Sequence, residues 1–171
     1  RRSSDLATPV LHDGMTVIQS GTRPFEWIVI RNHENGGFAG TKGAVAGAVP
    51  YDTAAAGGTT TLIVNRQTRL LTEDFVSLSG TVRNCAGGVT PWRTWITCEE
   101  TTVGVSNGFQ QPHGYCFEVP RSGISNAVAL TAMGRFRHEA VAFDPRSGIA
   151  YLTEDNTPAG FYRFLPNSYG N

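Results

Sequence analysis

A chain of 171 residues is long enough for one domain with its own core. Fourteen Lys and Arg balance fourteen Asp and Glu, so no net field draws the chain to nucleic acid or to an anionic membrane. No apolar run is long enough to span a bilayer, and the opening RRSSDLATP has two arginines without an apolar stretch behind them, so no signal peptide is expected.

Glycine, threonine and short runs of β-branched and aromatic residues dominate, and long helical periodicity is absent. The expectation is an all-β fold of short strands and turns. Strands are expected at 15–19, 26–32, 59–65, 75–82, 94–99, 114–119, 127–133, 139–143, 149–153 and 160–165, with 44–56 and 66–74 as loops. One pattern recurs three times: WIVIRNHEN (27–35), WITCEETT (95–102) and YLTEDNT (151–157). Each begins on an aromatic residue, continues through an apolar run and stops on carboxylates, namely Glu34, Glu99 with Glu100, and Glu154 with Asp155. A second pattern follows each copy after a loop: GGTTTLIVN (57–65), HGYCFEVP (113–120) and AGFYRFLP (159–166). The Gly-led copies lie about 50 residues apart, the period of one four-stranded propeller blade. The sequence therefore predicts a β-propeller with blade-like units at 11–65, 75–120 and 127–166 within a single partial domain over 1–171. Three blades do not close a ring, so the missing blades are expected from the same parent chain or from a second copy, and open strand edges are expected meanwhile.

Equivalent strand ends converge at one mouth of a propeller channel. Acids far apart in sequence thus become neighbours, and such a cluster needs cations. The densest segment is RNCAGGVTPWRTWITCEE (83–100). Its Cys85 is expected before an Ala86-Gly87-Gly88 turn that exposes the thiolate, with Arg93 at the lip of the next strand. A thiolate beside carboxylates suits iron better than calcium, which takes oxygen ligands. Cys98 alternates with Glu99 along its strand and is expected to pack in the core. In RFRHEAVAFDP (135–145), Glu139 is either half of an ion pair with Arg135 or Arg137, or a metal ligand with an arginine aimed at a bound anion. His33 and His138 lack zinc spacing, and neither a GxSxG elbow nor a phosphate-binding GxxxxGK[ST] loop occurs. Lys42 is the only lysine beside thirteen arginines, a compositional bias for the set as a whole.

The segments NHEN (32–35), GGTTTLIVN (57–65), 78–100, HGYCFEVP (113–120), MGRFRHEAVAFDP (133–145) and YLTEDN with GFYRFLP (151–166) resemble the PhoX-type bacterial alkaline phosphatases and their uncharacterised relatives. The resemblance runs from Leu11 onward. It implies a six-bladed propeller whose channel mouth holds Fe³⁺ and Ca²⁺ and hydrolyses a small-molecule phosphate ester. It also implies export by the twin-arginine route to the periplasm or medium, and that this chain is an internal fragment. Carried over by motif, Cys85, Glu139, Glu99 and Glu154 are the implied metal ligands, with Glu34 as a further one. Arg93 or Arg137 would stabilise charge on the phosphoryl oxygens. The competing expectation is a calcium-stabilised propeller that binds a partner without turnover.

Overall fold

The computed structural model describes residues 7–170; the ends of the expected domain, residues 1–6 and 171, lie outside them. Ten strands follow in order: β1 (His12–Gln19), β2 (Glu26–His33), β3 (Gly57–Asn65), β4 (Leu71–Thr81), β5 (Asn84–Val89), β6 (Trp95–Glu99), β7 (Cys116–Val119), β8 (His138–Phe143), β9 (Ala150–Glu154) and β10 (Phe161–Phe164). The helical pieces among the described residues are two single 3₁₀ turns, Val105–Asn107 and Thr131–Met133. No helix among them is long and apolar enough to cross a membrane.

The strands form three antiparallel sheets, ordered β1-β2-β3-β4, β5-β6-β7 and β8-β9-β10. Each is a meander, and the first strands β1, β5 and β8 lie side by side, as in successive propeller blades. Two apolar layers hold the sheets together. Ile18, Ile28, Ile30, Ile63 and Leu78 of the first sheet meet Trp95, Phe117 and Val119 of the second. Ile96, Cys98 and Cys116 on the opposite face meet Val141, Ala150 and Leu152 of the third. Strand β6 is buried along its whole length because alternate residues serve different layers. Cys98 packs as its alternation predicts.

The first strands approach so closely that side chains are excluded between them. A Cβ on Gly88 would sit 1.9 Å from the Val141 carbonyl oxygen, and one on Gly14 would sit 2.8 Å from that of Cys85. These glycines permit a backbone approach that no other residue allows.

Several expectations are corrected. The Ala86-Gly87-Gly88 turn is strand β5, whose small residues have low strand propensity but are required by the neighbouring blade. Residues 71–74, expected in a loop, extend β4, which pairs with β3, so the first sheet runs to Thr81 and the boundary expected between 65 and 75 falls inside it. The strand expected at 127–133 is a 3₁₀ turn preceded by a single bridge from Ala129 to Phe117. The acid-ended strands β2, β6 and β9 are second in their sheets, each one strand away from the side-by-side first strands.

Candidate metal centre

The three sheets present one local design. Their first strands open on the triplets Leu11-His12-Asp13, Arg83-Asn84-Cys85 and Arg137-His138-Glu139. The middle residues pair with the last residues of the second strands: His12 with His33, Asn84 with Glu99, His138 with Glu154. The next residue along each second strand donates its amide back to the start of the triplet. Glu34 bonds the Leu11 carbonyl at 2.8 Å, Glu100 that of Arg83 at 2.9 Å, and Asp155 that of Arg137 at 3.0 Å. Immediately after the middle residue, the pairing register shifts in all three sheets. A bulge of this kind re-aims the side chain it displaces. The displaced residues are Asp13, Cys85 and Glu139, and they meet.

The Cys85 thiol donates to the Glu139 carboxylate, with Sγ 3.5 and 3.7 Å from its two oxygens. One ligand atom from each of Cys85, Glu100 and Glu139 falls within 4.8 Å of the others. Asp13 lies against Cys85 and Glu34; burial first, then the Glu34 charge, pushes its carboxyl up. Burial also raises Glu100, with Asp155 beside it adding to the effect and Arg83 opposing it. Cys85 is pushed far up by burial and then by Glu139, so the thiol stays protonated while it has only carboxylates for company. Two arginines brace the cluster. Arg83 Nη2 lies 3.2 Å from Glu34 and 3.5 Å from Glu100, and Arg137 Nη2 lies 3.3 Å from Glu100 and 3.9 Å from Asp155.

Five carboxylates against two guanidiniums, with a protonated thiol among them, leave an excess of negative charge that is buried or half-buried except at exposed Asp155. Hard cations take such oxygen donors, and a thiolate adds a donor that iron accepts and calcium does not. The donor set therefore fits the expected iron and calcium.

Of the residues singled out in the sequence, Cys85 and Glu139 are brought together, and Glu34 stands at the rim through Arg83. Arg137 reaches the cluster through Glu100. Glu99 and Glu154 are placed elsewhere, because each ends a second strand and faces away from its successor. Glu99 is fully buried; its oxygens accept from Val82 N at 2.8 Å, His113 Nδ1 at 2.7 Å, Gly114 N at 2.7 Å and Tyr115 N at 3.1 Å. Glu154 accepts from Gly160 N and the Tyr162 hydroxyl, both at 2.9 Å. In both acid pairs it is the second member, Glu100 or Asp155, that faces the cluster. Arg93 sits in the turn between β5 and β6, at the end of β6 opposite Glu99, about 20 Å of extended chain away. Its side chain is exposed there and does not reach the cluster.

Glu100 and Asp155, expected as the second acids of their strand ends, reach the cluster, and Asp13 and Arg83 join them without having been singled out in the sequence. The signal for Asp13 and Arg83 is the triplet at each bulge, which shares position but not residue type. The histidines are structural. His33 bonds the Val10 carbonyl and the Thr60 hydroxyl, both at 2.9 Å, and burial pushes it down to about 4. His113 lies between Glu99 and Asp52, at 2.7 and 3.3 Å, with all three side chains fully buried.

A family model described as alkaline phosphatase PhoX matches residues 69–171. Among solved structures, that of Pseudomonas fluorescens PhoX in complex with vanadate, a transition state analogue, aligns with a TM-score of 0.61 at 17% identity. The alignment covers 96% of this chain and 42% of that one, so the chain spans less than half the length of this relative. At that identity the likeness is one of fold, a β-propeller of which the three sheets are blades. A search of curated proteins returns no match.

Proposed function

Because this chain belongs to the PhoX alkaline phosphatase family, we propose that its channel mouth is part of a metal-dependent phosphomonoester hydrolase site. The observation that carries this reading is the convergence of Cys85, Glu100 and Glu139 within 4.8 Å. Cys85, Glu100 and Glu139, with Asp13, Glu34 and Asp155 around them, would hold iron and calcium. When bound, such cations neutralise phosphoryl oxygens and lower the cost of adding a nucleophile at phosphorus.

The chain's own residues then have distinct tasks. The carboxylates hold positive charge at one point of the channel. Cys85 would give up its proton on ligating a metal and so favour iron over calcium. Arg83 and Arg137, half-exposed beside Glu100, are placed to orient a phosphate through paired N–H donors. Further blades of the parent chain would complete the site, and export from the cytoplasm belongs to the same proposal.

The test is elemental analysis of the whole protein together with an aryl phosphate assay at alkaline pH. Iron and calcium should co-purify with phosphatase activity, and Glu139→Ala should lose both. Calcium alone without turnover would point instead to a binding propeller.

A further inference from the structure

Cys98 of β6 and Cys116 of β7 stand directly opposite each other in the second sheet. The Glu99 amide donates to the Tyr115 carbonyl at 3.1 Å, one step beyond the pair. That placement makes Cys98 and Cys116 a non-hydrogen-bonded pair, the antiparallel position with the shortest Cα separation, about 4.5 Å. A disulfide accepts Cα separations from about 4.4 to 6.8 Å. Both residues are thiols, with Sγ atoms 3.5 Å apart and no exposed surface. A shift of about 1.5 Å between the sulfurs, within reach of side-chain rotation, would bring them to bonding distance. Cys116 Sγ also lies 3.4 Å from His138 Nδ1, whose Nε2 lies 3.2 Å from the Gly134 carbonyl. The third thiol, Cys85, is turned into the channel by the β5 bulge.

We propose that Cys98 and Cys116 are a disulfide-forming site, closed by a small-molecule or protein disulfide donor as the chain folds. One thiolate attacks the donor's S–S bond, forming a mixed disulfide and releasing one donor thiol. The second then attacks the chain's own sulfur in that mixed disulfide and releases the other donor thiol. Two electrons and two protons pass from the chain to the donor. Closure before β6 and β7 are buried solves the problem of access. It also leaves Cys85 as the one thiol that oxidation spares, and ties the strand end bearing Glu99 and Glu100 to β7. This inference stands apart from the proposed phosphatase reading, since the pair lies in the apolar layer between sheets.

The experiment refolds the reduced chain in a mixture of oxidised and reduced glutathione, then counts thiols in denaturant and maps linked peptides. The reduced chain should titrate three thiols and the refolded chain one, with Cys98 joined to Cys116. Refolded Cys85→Ser should titrate none. The bridge should raise the melting midpoint by about 6–12 °C, and the Cys98→Ala/Cys116→Ala double variant should show no donor-dependent rise. Three remaining thiols, a stable glutathione adduct, a linked peptide containing Cys85, or a rise that survives in the double variant would each overturn the proposal.

Discussion

Glu99 and Glu100 are neighbours in sequence with opposite physical situations. Glu99 accepts four hydrogen bonds in a fully buried network, whereas Glu100 is pushed up by burial beside other acids. Glu99→Gln leaves His113 without its strongest partner and should cost about 3–5 kcal/mol in urea melts, the usual penalty for breaking a buried pair. Glu100→Gln should leave the melt nearly unchanged, or improved in metal-free protein, while lowering metal content. Burial opposes charge on His113, but Glu99 and then Asp52 outweigh it and raise its pKa. A raised folded pKa means the unfolded chain binds fewer protons at neutral pH. The stabilisation is complete below the unfolded value of about 6.5 and is lost as pH climbs through the folded one. Chelated protein should thus show a urea midpoint that falls as pH rises above about 6.5, with a flatter profile in His113→Gln.

At the scale of elements, the first strands decide whether the cluster exists. Gly88→Ala would drive a methyl group into the Val141 carbonyl and should cost about 1–3 kcal/mol as β5 moves away from β8. Separation of Cys85 from Glu139 should lower metal content at the same time, which equilibrium dialysis would register. The second and third strands were legible in the sequence because aromatic and β-branched runs such as Trp27–Ile30 and Thr59–Val64 advertise a half-buried pleat. Strand β5 was not, because Cys85-Ala86-Gly87-Gly88 reads as a turn by propensity and is a strand only through the blades on either side. The choice between Glu99 and Glu100, or Glu154 and Asp155, depends on which face each strand end presents. That register is set by pairing partners 15 or more residues away. Cys85 and Glu139 could be recognised without it because each is the one acid or thiol in its triplet.

Across the whole molecule, the two outermost sheets each present apolar surface. Met15, Val17 and Trp27 share the outer face of the first sheet, exposed by 43–59%, and Phe161 on edge strand β10 is 72% exposed. Surface of this kind pairs with other chains. Sedimentation of the 171-residue chain should show concentration-dependent association, weakened by Val17→Lys with Phe161→Lys. The bulged triplets set a further rule for the molecule. They separate address from content: the backbone fixes where a donor atom arrives, and any side chain of suitable reach can be delivered there. Asp13, Cys85 and Glu139 are three deliveries to one kind of address. Metal preference can therefore be rewritten one blade at a time: if the proposed iron site is correct, Cys85→Asp should shift the co-purifying metal from iron toward calcium, read by elemental analysis, without refolding a single strand.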